Sequence, residues 1–356
     1  LSELRAVAER LPGGCVDLSV GTPTDPPPAI VVEVLAHSGA ERGYPASVGS
    51  PAYREAAVAW MRRRLGVDVP PDQVAACIGT KELVAGLPHW LHLRDPGRDT
   101  VLHPAIAYPS YEMGARLAGC RSVPVPPDDD FGLDLSAIDE ADAGRALCLW
   151  VNSPGNPAGT LDDLTSAASW GREHGVPVFS DECYVEFTWA GGRRTILEDG
   201  LDGVVAVHSL SKRSNLAGAR AGFYAGDGDL VHYLSEVRKH AGFMVPGPVQ
   251  AAAVAAWGDD DHVEVQRARY LGRLQRLAEV LAAIDVTAAQ PGGGFYLFPA
   301  APSGDGWDLA RTLAAEAGAL VSPGEFYGLA AAGHVRLAAV RADDQIELVA
   351  RRLGVG

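Results

Sequence analysis

Short runs of wholly apolar residues alternate along this chain with longer stretches in which apolar residues return every three or four positions. VAACIG (74–79), ALCLWVN (146–152), VPVFSDE (176–182) and VVAVHS (204–209) are runs of the first kind. Their β-branched content and lack of polar alternation predict strands buried on both faces. TKELVAGL follows the first run, and LDDLTSAASWGREHG follows the second after a Pro/Gly loop, both with helical spacing. Apolar strands separated by amphipathic helices predict a mostly parallel sheet covered by helices. SPAYREAAVAWMRRRLG is a further predicted helix, with Ser50 as N-cap and Pro51 in the first turn. The opening LSELRAVAER reads as a short amphipathic helix rather than a signal peptide.

From about residue 228 the pattern shifts to long helices: DLVHYLSEVRKHAG, PVQAAAVAAWG and DDHVEVQRARYLGRLQRLAEVLAAI. The last is long enough to span two lobes. Short strands, FYLFPA and HVRLAAV, and two further helices complete an α+β segment. The expected fold class is α/β, with a large domain over residues 30–255. A smaller α+β domain is expected from 1–29 and 256–356, although the N-terminal strand CVDLSVG fits either.

Composition narrows the function. The chain is 47% hydrophobic, which supplies a large core without disulfides, and its formal charge of −15 is spread along its length. Nucleic-acid and membrane-surface binding need basic stripes, whereas the basic runs here, Arg62-Arg63-Arg64 and Arg193-Arg194, are short solvated faces. Five scattered cysteines without a C-x-x-C pair read as buried free thiols, which points to a reducing, cytoplasmic setting. No apolar run reaches membrane-spanning length.

In an open parallel sheet, ligands bind beyond the carboxyl ends of the strands. Four predicted strand ends carry polar or glycine-rich turns: IGTKE, VNSPGNPAG, FSDECY and HSLSK. At IGTKE, Gly79 permits a tight turn, and Thr80 and Lys81 open a helix whose free N–H groups attract an anion. Taken alone, such a glycine is more often only a turn, and the spacing is not that of a Walker loop. Asp181 and Tyr184 stand where a buried strand emerges, with no His or Cys at metal-ligand spacing nearby; the histidines His89 and His92 read as structural, so no metal is expected. Lys212 at a strand end beside a phosphate site is set to act as a nucleophile toward aldehydes, with Ser209 and Arg220 as phosphate ligands. A phosphate grip, a carboxylate for a pyridine nitrogen and a lysine for an aldehyde together match pyridoxal 5′-phosphate.

These motifs, in order, resemble the fold-type I aminotransferases of class I and II: VGTPTDP, GYPASVGSPAYREA, GTKE, AYPSY, NSPGNPAG, SDECY, SLSKRSNLAGARAG and HVRLA. More narrowly, GTKELVAGLP, AYPSYEMGARLAG, HSLSKRSNLAGARAGF, VRKHAGFMVPGPVQAA and GEFYG resemble actinobacterial succinyldiaminopimelate transaminases, which use glutamate as amino donor. The resemblance implies that Lys212 holds the cofactor and moves a proton at the substrate Cα, while Asp181 keeps the pyridine nitrogen protonated. Asn156 and Tyr184 are implied donors to the phenolic oxygen, and Tyr108 an implied ring-stacking partner. Thr80, Lys81, Ser209 and Arg220 are implied phosphate ligands. Tyr44 is implied to reach the phosphate of a neighbouring subunit, hence a homodimer with shared active sites. Arg336 and the Gly21 backbone are implied to clamp the substrate α-carboxylate. Arg336 also stands on a predicted apolar strand, where it needs an anionic partner.

Ala158 and Ala219 depart from the usual threonine and bulky residue of the family, which bears on the shape of the site more than on its chemistry. Arg42, Arg193 and Arg213 are candidates for the distal part of the substrate by charge and position alone. Two other functions share these motifs. One is an elimination, replacement or cyclisation enzyme of specialised metabolism; the other is the ligand-binding domain of a regulator, although the first twenty residues hold no DNA-binding module.

Overall fold

The computed structural model describes residues 1–355. Its strands are β1 (Val16–Asp17), β2 (Val74–Cys77), β3 (Thr100–Pro104), β4 (Arg121–Val125), β5 (Ala146–Asn152), β6 (Val178–Asp181), β7 (Val204–Ser209) and β8 (Gly222–Gly226), followed by β9 (Tyr296–Leu297), β10 (Ala319–Leu320), β11 (Ser322–Pro323) and β12 (Val335–Ala338). The strands from β2 to β8 form one seven-stranded sheet in the order β2-β8-β7-β6-β5-β3-β4. All run parallel except β8, which is antiparallel to both of its neighbours.

Every residue of β5, β6, β7 and β8 is buried, because both faces of the sheet are covered. Strand alternation divides those residues between two clusters. Leu149, Val151, Val178, Val204 and Ala206 face a cluster built around Trp60 and Trp257. Trp150, Phe179, Val205 and Val207 face the other cluster, with Leu83, Val84 and Leu87 of the helix Thr80–Arg94. The register pairs Asn152 with Asp181, and Asp181 with Val207. Alternation therefore puts Asn152, Asp181 and Ser209 on the Phe179 side, above the start of the helix Thr80–Arg94.

The predicted N-cap is present: Ser50 Oγ accepts from the Tyr53 N–H, and Gly66 ends the helix Pro51–Leu65 in the left-handed region. The helix Asp261–Ala282 runs from the ion pairs of Asp260 to the C-terminal apolar cluster, where Leu274, Leu277, Val280 and Leu281 pack with Leu4, Val16 and Leu337. β1 pairs in parallel with β10, so the N-terminal strand joins the C-terminal segment rather than the large sheet. β12 lies between β11 and β9, antiparallel to both.

Two expectations need correction. Only Cys77 and Cys148 are fully buried, while Cys15, Cys120 and Cys183 are half-buried; all five are free thiols. Arg193 and Arg213 do not reach toward a ligand. Arg213 is 2% exposed and held by Glu186, Asp260 and the Ala256 carbonyl, and Arg193 pairs with Glu186 and Glu264. Asp260 and Glu264 lie 47 and 71 residues from the arginines they hold, and the fold brings Glu186 against both, so charge alone could not reveal the pairing.

Candidate active site

The chain has three lysines, Lys81, Lys212 and Lys239. Strand β7 ends at Ser209, whose hydroxyl accepts from the Ser211 N–H and caps the short helix Leu210–Arg213. That turn carries Lys212 back over the ends of β6 and β7, where its ammonium bonds the Gly21 carbonyl and lies 5.7 Å from the centre of the Phe295 ring. Burial pulls its pKa down to about 8, opposed by Cys183 and Asp181 and reinforced by Arg336 and Arg220. A lowered value leaves the neutral, nucleophilic amine in the majority above about pH 8. Labelling of Lys212 by a reducible aldehyde should therefore rise with a half-point near pH 8 rather than near the ordinary value of 10.5, as followed by peptide mapping across a pH series.

Asp181, at the end of β6, is 5% exposed. Its carboxylate accepts from Tyr111 Oη at 3.2 Å and from the Cys183 N–H at 3.2 Å. Burial raises its pKa, against these hydrogen bonds and the nearby Lys212, which lower it. A cationic group in the cavity would relieve that cost. At the neighbouring strand end, Asn152 Nδ2 donates to the Asp181 carbonyl at 2.8 Å, and Asn152 Oδ1 accepts from the Asn156 N–H at 2.9 Å. The loop after β5 is thus tied to the strand that carries the carboxylate.

A second strand end supplies an anion cradle. Gly79 has φ +70°, and a Cβ there would lie 2.3 Å from the Arg220 guanidinium, so only glycine lets this arginine lie across the first turn of the helix Thr80–Arg94. Arg220 itself is in the left-handed region, with φ 60°. Its hydrogen bonds go to the Ala217 carbonyl at 2.9 Å and, more weakly, to Ser211 Oγ and the Ile78 carbonyl. None of these partners is a carboxylate. Lys81 lies over the Tyr108 ring, 5.6 Å from its centre.

Arg336 comes from β12. It is 6% exposed, yet its partners are Asn156 Oδ1 at 2.8 Å and the Ser19 carbonyl, and its Nε has none. Other buried arginines in this chain hold carboxylates: Arg238 has Glu82, and Arg273 has Asp25. A buried guanidinium with no counter-charge and an idle N–H is poised for an anion. Its flat face packs on Tyr296 at 4.2 Å and on Tyr327 at 4.7 Å.

Every residue expected to hold the cofactor or the α-carboxylate except Tyr44 lines one cavity of about 670 Å³, whereas Arg42, Arg193 and Arg213, the candidates for the distal part of the substrate, do not. Tyr44 is 97% exposed and lies outside it. The sequence reading missed Tyr111, Tyr296 and Tyr327. Tyr111 was legible: it follows Tyr108 by three residues in AYPSY, in the same turn that opens the next helix. The Tyr184 hydroxyl sits 2.8 Å from that of Tyr296. His92, of the histidine pair, bonds the Arg98 carbonyl, a structural contact.

The family model for aminotransferases of class I and II matches residues 14–353. The 4-dedimethylamino-4-oxo-anhydrotetracycline transaminase OxyQ of Streptomyces rimosus is 43% identical over 351 residues, covering 96% of this chain and 94% of that protein. A probable aminotransferase of Mycobacterium tuberculosis is 41% identical over 99% of this chain and 83% of its own length. Among solved structures, the probable N-succinyldiaminopimelate aminotransferase of Thermus thermophilus superposes with a TM-score of 0.88 at 30% identity, covering 100% of this chain and 98% of that one.

Proposed function

The chain belongs to the class I and II aminotransferases, enzymes of pyridoxal 5′-phosphate, and on that premise we propose that it moves an amino group from an amino-acid donor, glutamate foremost, to a 2-oxo acid, with Lys212 as the catalytic residue. One observation carries the reading. A half-buried lysine without a carboxylate partner shares a cavity with a buried aspartate and with two arginines, Arg220 and Arg336, that also lack one.

The residues present fit the cofactor. Arg220, Ser209, Thr80 and Lys81 surround a helix start that Gly79 keeps open, which suits a phosphate. When bound, the cofactor supplies an aldehyde for amines and an electron-poor ring that draws electrons from the substrate Cα. Lys212 would take the proton from the substrate Cα and deliver it to the carbon that was the cofactor's aldehyde. Asp181 would keep a proton on the ring nitrogen, Tyr108 would support the ring, and Asn156 and Tyr184 would donate to the phenolic oxygen. Arg336, with the Gly21 backbone, fixes the α-carboxylate and so orients the Cα–H bond. Tyr44, exposed on its own protomer, serves the phosphate of a second copy in a homodimer.

An N-succinylated amino-oxopimelate is one acceptor to test, in keeping with the Thermus thermophilus neighbour. A bulky polycyclic ketone is a second reading, favoured by the tetracycline-pathway relative and by the cavity itself. Its cations are Lys81, Lys212, Arg220 and Arg336, so among the described residues no cation lining it remains for a distal carboxylate, and its lining includes the exposed Val20, Pro109 and Phe326.

Glutamate added to the cofactor-loaded protein should convert the bound cofactor to its amine form, visible by absorbance. A panel of acceptors scored by product mass then separates the two readings. No amine form with any amino acid would reject amino transfer. Gly79→Ala should weaken cofactor binding about ten- to a hundredfold by displacing Arg220, with the fold retained, as measured by equilibrium dialysis.

A further inference from the structure

Tyr296 is not one of the residues assigned a role above, yet three parts of the site meet on it. Its side chain is fully buried, at 2% exposure. Its hydroxyl is 2.8 Å from that of Tyr184. Its ring face carries the Arg336 guanidinium at 4.2 Å. Its hydroxyl also fills the space where a side chain at position 21 would begin: a Cβ on Gly21 would lie 2.0 Å from Tyr296 Oη. Gly21 is the residue whose carbonyl holds Lys212.

We propose that Tyr296 is a positioning residue that couples the carboxylate clamp to the cofactor's phenolic oxygen, through its ring on one side and its hydroxyl on the other. The inference rests on the role proposed above for Tyr184. A phenol has one proton to give. If Tyr184 spends its proton on the cofactor oxygen, the 2.8 Å contact with Tyr296 requires Tyr296 to be the donor and Tyr184 the acceptor. The hydrogen bonds then run in one direction, from Tyr296 to Tyr184 to the cofactor, and each strengthens the next. The titratable and charged groups facing this pair are Cys183, Tyr327 and Arg336, with Lys212 beyond Cys183. The same ring fixes the plane of the guanidinium. Arg336 receives no carboxylate from the protein, so its orientation depends on Asn156, the Ser19 carbonyl and the two aromatic faces.

The two halves of Tyr296 can be removed separately. Tyr296→Phe keeps the ring and deletes the donor. In the cofactor-loaded protein, the pH midpoint of the cofactor's absorbance should rise by about half a unit to one unit, the scale of one polarising hydrogen bond, with the donor KM changed less than about twofold. Tyr296→Leu deletes both, and should add a rise in donor KM of about tenfold or more, the scale of a desolvated cation–π contact. A purely structural tyrosine would lower the melting temperature in both variants and move neither readout selectively. An unmoved midpoint in Tyr296→Phe overturns the proposal, as does a KM increase in Tyr296→Phe equal to that in Tyr296→Leu. If Tyr296→Leu does not fold, the phenylalanine variant still decides. Failure of the underlying reading looks different: the wild-type protein would show no cofactor band to titrate.

Discussion

Replacing Lys212 by alanine should lower amino transfer at least about ten-thousandfold, while the protein stays folded and still binds the cofactor through its phosphate. The size follows from two losses at one atom. The ε-amine is the group placed to bond the aldehyde, and it is also the proposed base at Cα, a role worth about a hundred- to ten-thousandfold by itself. The fold should tolerate the change. The amine's polar contact is a single backbone carbonyl, and its burial without a carboxylate costs stability, as the fall of its pKa to about 8 records. The purified variant should therefore melt no lower than the wild type, with turnover measured beside it. A variant that unfolds would mark Lys212 as a structural residue.

The second large effect is expected at Asp181. Asp181→Asn keeps the shape of the side chain and removes its charge, and should reduce turnover about a hundred- to a thousandfold, the scale of losing one partner of a buried charge pair. Donor KM should change much less, because Arg336, rather than Asp181, is the residue proposed to meet the carboxylate. Stability works in the opposite direction. Burial raises the Asp181 pKa, so the neutral amide removes a desolvation cost; its single oxygen keeps the Cys183 N–H, and the Tyr111 hydroxyl, which bonds the other carboxylate oxygen, turns to accept from the amide Nδ2. Activity lost without stability lost is the signature of a residue that serves the cofactor. Turnover and denaturant midpoints on the same preparations check it; equal turnover in variant and wild type would remove Asp181 from the chemistry.

Parts of this arrangement were legible in the sequence for a physical reason. β5, β6 and β7 are buried on both faces, so they read as unbroken apolar runs, and the polar residues that end them stand out. β3, β4 and β8 carry no such signal. β3 contains His103 and Pro104, and β4 is an edge strand with Arg121 and Pro124. β8 opens on Gly222, where a Cβ would meet the His208 carbonyl at 2.5 Å, so close packing demands the residue that lowers strand propensity. Among site residues, Lys212, Asp181 and Arg336 were found because each breaks an apolar pattern. Tyr296 was hidden because it satisfies one: a tyrosine in FYLFPA reads as a core aromatic until its hydroxyl is seen against Tyr184. Arg213 and Arg193 misled for the converse reason, since Glu186 pairs with both and Asp260 and Glu264 complete the pairing from a distant stretch of chain.

With three lysines in the chain, one measurement tests the account most directly. The protein is mixed with pyridoxal 5′-phosphate, reduced with borohydride, and analysed by intact mass and peptide mapping. The expected result is a gain of one reduced cofactor per chain, carried by the peptide that contains Lys212. An unchanged mass, or a label on Lys81 or Lys239 with Lys212 bare, would contradict it.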